Sequence, residues 1–306
     1  MAKSPSTDNS GDFRCGYISI IGRPNVGKST LLNHILGQKI SITSRKPQTT
    51  RIHLIGIKTE KSFQAIYIDT PGIQTAYKNA INRQMLGEAT MTLEQVNVLV
   101  FMIEAGKWTK DDNHVLKLLE NVSSPIILVI NKIDRLRSME ELLPFIEKIH
   151  DITSISEIIP ISAKKTDNVD NLEKTVYSML PSGPAMFAED QITNRTDRFF
   201  AAEFIREKLI QKLGDELPYQ IAVTIDEYND TADLISIKGM IWVESKSQKL
   251  IVVGKGGSVL KSVGEQARKD MEKLFQKKVY LRTWVRVSKN WTKKDELLQN
   301  LKDMSC

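Results

Sequence analysis

The stretch that decides the fold is "IIGRPNVGKST", Ile20 to Thr30. Two β-branched residues close an apolar run, G-x-x-x-x-G-K-[ST] follows at once, and a segment with helix-like spacing begins inside it. Gly22 and Gly27 let the backbone curl around Arg23, Pro24, Asn25 and Val26, so that amides point inward at phosphate oxygens, at the positive end of the following helix. Lys28 is placed to reach the β- and γ-phosphates and Ser29 to give its hydroxyl to Mg²⁺, with Thr30 beside it.

The motifs that follow complete a nucleotide site in chain order. "DTPG" (Asp69, Thr70, Pro71, Gly72) ends a strand, where a carboxylate can hold Mg²⁺ through its water shell and a glycine amide can sense the γ-phosphate. "NKID" (Asn131, Lys132, Ile133, Asp134) ends a later apolar strand. Asp134 can accept hydrogen bonds from both the N1–H and the 2-amino group of guanine; adenine would leave that carboxylate underpaired. Lys132 would lie along the base, and Asn131 would tie the base loop to the phosphate loop. "SAK" (Ser162, Ala163, Lys164) can offer a backbone amide to guanine O6. Motifs at strand ends on one side of a parallel sheet are where such folds bind ligands.

Two further features narrow the chemistry. In "KPQTTR", residues 46–51, adjacent threonines precede a strand, and one of them, Thr49 or Thr50 with Thr50 favoured, is expected to ligate Mg²⁺ while the γ-phosphate is present, which makes the segment a switch. Ile73 stands where Ras-type enzymes place the glutamine that orients the attacking water. Isoleucine cannot hydrogen-bond water, so slow intrinsic turnover is expected, with Lys28, Thr50, Asp69 and Gly72 as the catalytic set.

Around these motifs, apolar strands at 17–21, 53–57, 63–69, 96–104, 125–131 and 158–162 alternate with helical spacing at 29–37, 114–121 and 139–150. That alternation predicts an α/β domain with a mainly parallel sheet covered on both faces. "LPSGPAMFAEDQITNRTD", residues 180–197, breaks the pattern and reads as a linker. A smaller α+β unit follows: a helix at 198–213, strands at 221–228 and 234–244, a strand-turn-helix over 249–275 and a strand at 278–287. The expected plan is a disordered leader (1–14), a nucleotide domain (15–180), the linker (181–197), a second domain (198–290) and a charged tail (291–306).

Composition excludes several classes. The chain has 306 residues, 41% of them apolar, with no run long enough to span a bilayer and no apolar signal core at its start. Cys15 and Cys306 are expected to be reduced thiols in a cytoplasm, and the four histidines share no metal-ligand spacing. The net charge of +6 is concentrated: from 238 to 294 there are 15 Lys and Arg against four acidic residues, a local +11 that suits a polyanion.

A second glycine-lysine turn, "VVGKGG", lies in that basic region. It lacks the four-residue gap of a phosphate loop but matches G-x-x-G over Gly254, Lys255, Gly256 and Gly257, with an apolar strand expected before it and a helix after it. That is the form of a KH domain, whose loop lets a nucleic acid backbone pass close to the chain. Lys255, Lys261 and Arg268 would neutralise phosphates, with Lys238 and Lys246 adding to them.

Together, "GRPNVGKST…PQTTR…DTPGI…NKID…SAK" and "DRFFAAEFIREKL…ELPYQIAV…GKGGSVLK…GEQARKDME…LRTWVRVSKNW" make the chain resemble the bacterial Era family of GTPases, from about residue 16 to residue 294. The resemblance implies a P-loop GTPase domain followed by a type II KH domain, with GTP or GDP and Mg²⁺ as ligands. It implies binding to 16S ribosomal RNA near its 3′ end, action on the 30S subunit, and a cytoplasmic monomer found in part at the inner membrane face. Asn25 belongs to a pattern that in related GTPases coordinates K⁺ in place of an arginine finger, and the same is expected here. The polar leader and the arginine-rich turn after "NKID" depart from the family pattern without touching the nucleotide motifs. Two other classes stay open: a GTP-dependent RNA-modifying factor, for which no second catalytic constellation is visible, and a signalling GTPase that lays its basic face on anionic lipid.

Overall fold

The structure, a computed structural model, describes residues 13–44, 53–73, 95–150, 155–214, 217 and 221–289. The chain divides into two compact units, Met1–Ser41 with Thr50–Thr193, and Ile42–Thr49 with Asn194–Cys306. The leader before residue 13, Thr49, Thr50 and the tail from residue 290 lie outside the described residues.

The first unit runs β1 (Arg14–Ile21), α1 (Lys28–Ile35), β2 (Leu54–Glu60), β3 (Phe63–Asp69), β4 (Val98–Glu104), α2 (Lys110–Leu119), β5 (Ile126–Asn131), α3 (Leu143–His150), β6 (Ile155–Ile161) and α4 (Val169–Met179). Its sheet has the order β2-β3-β1-β4-β5-β6, parallel throughout except for the antiparallel β2/β3 pair. β3, β4 and β5 are buried at every position, as an apolar run without alternation demands when both faces of a sheet are covered. The helical spacing at 139–150 resolves into a 3₁₀ turn, Met139–Leu142, before α3 begins. The sequence reading passed over α4, although Val169, Leu172 and Val176 recur on one buried face.

Residues 181–193, read as linker, are fastened along the first unit. The amide of Cys15 donates to Pro181 O (3.0 Å) and that of Ile57 to Ile192 O (2.7 Å). Gln64, fully buried, accepts from the amides of Met186 and Phe187 and donates to Phe187 O. Its amide group thereby satisfies backbone that would otherwise be buried unpaired.

The second unit runs α5 (Asp197–Lys212), β7 (Ala222–Asp230), β8 (Leu234–Val243), α6 (Lys246–Val253), α7 (Ser258–Phe275) and β9 (Lys278–Val287), its sheet ordered β7-β8-β9. Here one expectation fails: the apolar stretch before G-x-x-G is the helix α6 and not a strand. Its β-branched residues favour a strand locally, but β8 and β9 pair in parallel, and a parallel pair needs a crossover. The Ser245 side chain caps that crossover by accepting from the amide of Gln248. α5 packs on α7 and β7, and Ile205 seats directly on Gly239 of β8. A Cβ at Gly239 would stand 2.9 Å from Ile205 Cδ1.

Ile42–Ser44, the described part of the segment leading to Thr50, belongs to this second unit. The Thr43 amide donates to Glu207 Oε1 (2.8 Å), and Gln211 Nε2 donates to Thr43 O (3.1 Å). Glu207 is fully buried on α5, and its second oxygen is 2.9 Å from Lys208 Nζ, which reaches Asp270 of α7 at 2.6 Å.

Because Ile205 leaves no room for a side chain at Gly239, Gly239→Val is expected to destabilise the second unit by about 1–3 kcal/mol through overpacking. Urea unfolding followed by near-ultraviolet circular dichroism checks this, and an unchanged midpoint would contradict it.

Candidate functional site

The phosphate loop, Gly22 to Ser29, joins β1 to α1 at the same sheet end as Asp69 and Asn131. Lys28 folds across it, its Nζ donating to Gly22 O and Arg23 O, both at 3.0 Å. Burial is the main cause that brings the Lys28 pKa down to about 8; Arg23 adds to the effect and Asp69 opposes it. Asn25 holds a left-handed conformation (φ 64°) within the loop.

Asp69 ends β3 with no exposed surface. Ser29 Oγ and Ser41 Oγ each donate to its Oδ2 at 2.8 Å, while its Oδ1 is buried without a hydrogen-bond partner among the described residues. Burial raises the Asp69 pKa, against the charge of Lys28 and the two serine hydroxyls. An orphaned carboxylate oxygen beside a serine hydroxyl is a hard-oxygen set that fits Mg²⁺. Ser41 was not singled out from sequence; a lone serine in "KISITS" carries no spacing signal.

Thr70 Oγ1 donates to Ile20 O (2.9 Å), which fixes the turn after β3. Gly72 lies so close to the phosphate loop that a Cβ would stand 2.7 Å from Pro24 Cα, and the Ile73 amide donates to Gly22 O (3.2 Å). The Ile73 side chain is 1% exposed and belongs to the core, so it presents nothing to solvent.

Asn131 joins three loops. Its Nδ2 donates to Val26 O (2.7 Å), and its Oδ1 accepts from the Ala163 amide (2.9 Å). Ser162 Oγ donates to Asp134 Oδ1 (2.7 Å), which orients that carboxylate, and Lys164 is exposed beside it. Lys132, also left-handed (φ 69°), donates to Asn25 O (2.6 Å), while Ile133 packs against the core.

Behind these loops sits Glu104, at the end of β4, which the sequence reading did not select. Its carboxylate, 7% exposed, is met by Lys132 (2.9 Å), Lys107 (2.9 Å), Arg135 (3.0 Å) and Arg23 (3.4 Å). Arg23 is also held by buried Asp112 at 3.1 Å. Burial alone would raise the Glu104 pKa; hydrogen bonds and charge from Lys132 and Lys107 hold it down at about 2. One carboxylate thus draws the cation of the phosphate loop and the cation of the base loop to a common point.

In the second unit, G-x-x-G forms the turn between α6 and α7, with Gly254, Gly256 and Gly257 all at positive φ. A Cβ at Gly256 would meet no protein atom within 4 Å, so the space beside this turn is open. A groove of about 390 Å³ adjoins it, lined among others by Gly257, Leu260, Lys261, Arg268, Leu281 and Thr283. Arg268 is partly engaged by Glu272 at 2.8 Å, and Lys255 is exposed in the turn. Lys238 and Lys246 do not line the groove: Lys238 pairs with Glu227 at 2.5 Å, and Lys246 opens α6.

Among the described residues no group of His, Cys, Asp and Glu could hold a metal by itself, and no helix is long and apolar enough to cross a membrane. Cys15 is buried in β1 as a free thiol, its pKa raised by burial.

Glu104→Gln is expected to weaken guanine-nucleotide binding about tenfold, mainly through faster release, which a fluorescent-GDP chase measures. The depressed pKa means that the stabilisation from Glu104 is complete above pH ~4.5 and lost as pH falls towards 2. The stability gap between wild type and variant should therefore be flat at neutral pH and close over that acid interval. A gap that is already absent at pH 7 would contradict the role given to this carboxylate.

Comparison with known proteins agrees with the geometry. Residues 17–132 match the family model of the 50S ribosome-binding GTPase, and residues 216–292 match that of the KH domain. The chain is 51% identical over 287 residues to the GTPase Era of Coxiella burnetii (strain Dugway 5J108-111), covering 94% of this chain and 97% of that one. It is 48% identical over 288 residues to the GTPase Era of Pseudomonas aeruginosa (strain LESB58), covering 94% of each. A crystal structure of Era in complex with MgGDPNP and nucleotides 1506–1542 of 16S ribosomal RNA superposes with a TM-score of 0.90 at 39% identity, over 96% of this chain and all of that one. A tyrosine-to-alanine variant of Aquifex aeolicus Era bound to GDP·AlF₄⁻ does so with the same TM-score at 38% identity, with the same coverage. With both units matched in order and half the residues shared with its relatives, the chain belongs to the Era family of GTPases.

Proposed function

We propose that this protein is a GTP-driven switch that binds 16S ribosomal RNA near its 3′ end and serves assembly of the 30S subunit. One observation carries the reading. Ser41 holds Asp69 in the nucleotide site, and two residues later Thr43 is fixed to buried Glu207 of the unit that contains the G-x-x-G turn. A similar structure that holds MgGDPNP together with nucleotides 1506–1542 of 16S ribosomal RNA supports both ligands.

Each residue then has a task. Asp134, oriented by Ser162, accepts from N1–H and the 2-amino group of guanine, and the Ser162 to Lys164 turn offers an amide to O6. Lys28 leaves the carbonyls of Gly22 and Arg23 for the β- and γ-phosphates. Ser29, Asp69 and Thr50 would hold Mg²⁺, which would supply neutralisation of phosphate charge when bound. The Gly72 amide, close against Pro24, reports whether the γ-phosphate is present. With Ile73 buried, no side chain at that position aligns water, and intrinsic hydrolysis is slow. Asn25, with its left-handed backbone inside the loop, supplies a ligand for K⁺. The same family reading supports a cytoplasmic monomer, a part of which rests on the inner membrane face.

Gly256→Asp places a charged side chain at φ 59° in the open space beside the groove. It is expected to lower affinity for the 1506–1542 RNA at least tenfold and to leave GTP hydrolysis unchanged, as read by filter binding and phosphate release; full RNA affinity would contradict the reading. Hydrolysis should also be faster in KCl than in NaCl at equal ionic strength. Equal rates would remove the role given to Asn25.

A further inference from the structure

The groove beside G-x-x-G uses one side of the edge strand β9, through Leu281 and Thr283. A strand shows alternate residues to opposite faces, so Lys278, Tyr280, Arg282, Trp284 and Arg286 share the other side. All five are exposed, Tyr280 at 46% and Trp284 at 42%. The neighbouring strand adds Trp242, which pairs in register with Arg286. The Arg282 guanidinium stands 5.2 Å over the Tyr280 ring and Arg286 stands 5.6 Å over Trp242. Among the described residues, none of Lys278, Arg282 and Arg286 makes an ion pair, whereas Lys238 on the same face is neutralised by Glu227.

Lysines on an edge strand are ordinary protection against strand-to-strand pairing. Exposed rings alternating with uncompensated cations do not serve that purpose, and they leave apolar surface wet. What they match is a single-stranded nucleic acid, with ring faces for bases and cations for phosphates. A membrane-bound element gathers its apolar side chains on one face and its cations on another, whereas on β9 the exposed rings and cations alternate along the same face.

We infer that this outer face of β9 is a second RNA surface, which takes the single strand after it leaves the groove, with bases stacked on Tyr280 and Trp284 and phosphates against Lys278, Arg282 and Arg286. The inference rests on the RNA-binding reading above. A KH groove holds about four nucleotides, so a longer RNA must continue past it. Groove and outer face are the two sides of one edge strand, and a strand of RNA passes from one to the other around the edge of β9.

The test uses the full chain with the 1506–1542 RNA and with eight-nucleotide pieces that tile it. Tyr280→Ala/Trp284→Ala should weaken the long RNA about tenfold or more and leave the best short piece within about twofold. Tyr280→Phe/Trp284→Phe, which keeps both rings, should bind the long RNA nearly as the wild type does and so separate stacking from misfolding. Arg282→Gln/Arg286→Gln should reduce the slope of log affinity against log salt by about 1.4, two phosphate contacts at ~0.7 each. Wild-type affinity of both the alanine and the glutamine double variants for the long RNA would overturn the inference while the groove reading stands. Loss of binding to vesicles of anionic lipid, with RNA binding intact, would overturn it in favour of a membrane surface. Failure of the wild type to bind any of these RNAs would overturn the RNA reading itself, and this inference with it.

Discussion

The carboxylate of Asp69 is the constraint on which the nucleotide site depends. It is buried at the end of a fully buried strand, with one oxygen satisfied by Ser29 and Ser41 and the other by no group among the described residues. A buried charged oxygen left unpaired costs at least about 1–3 kcal/mol, which the fold offsets elsewhere. A cation set beside that oxygen would relieve the cost. Ser29 comes from the phosphate loop and Ser41 from the segment that follows α1, so Asp69 ties these two stretches together. From Ser41 the backbone reaches Thr43, whose amide is held by Glu207, and Glu207 with Lys208 leads to Asp270 on α7. The same helix carries Lys261 and Arg268 into the groove. These contacts are what the proposed switch would use to connect the two ligands.

Charge organises the rest of the site from behind. Glu104 and Asp112 hold Arg23, and Glu104 also holds Lys132, so the phosphate loop and the base loop share one anchor. Its depressed pKa has its cause in the cations gathered around it, and their crowding is relieved by the carboxylate in turn. Asn131 does by hydrogen bonds what Glu104 does by charge, since its amide spans Val26 and Ala163.

How much of this the sequence discloses follows from how local each requirement is. The phosphate loop is legible because its glycines, lysine and serine must occur at fixed spacing on one continuous turn. "NKID" and "SAK" are legible for the same reason, and burial along β4 and β5 follows from apolar runs broken only at their last residues, Glu104 and Asn131. Ser41 and Glu104 act through contacts distant in sequence, and neither has a neighbour pattern that marks it. The stretch before G-x-x-G misleads for a related reason. Ile251, Val252 and Val253 prefer a strand locally, and only the parallel pairing of β8 with β9, formed by residues on either side, makes the intervening chain a helical crossover. Lys238 counted towards a basic region in the sequence, yet strand alternation and Glu227 remove it from the groove. Net charge locates a polyanion surface to within a domain, and the pleat decides which face it occupies.

The central claim is that the nucleotide site and the RNA surface are parts of one device. The most direct test is the affinity of the wild-type chain for the 1506–1542 RNA, measured once with a non-hydrolysable GTP analogue and once with GDP, at the same Mg²⁺ and salt. Coupling through the Ser41 to Glu207 path predicts two affinities that differ by at least about fivefold. Equal affinities in the two states would contradict it and leave two modules that share only a chain.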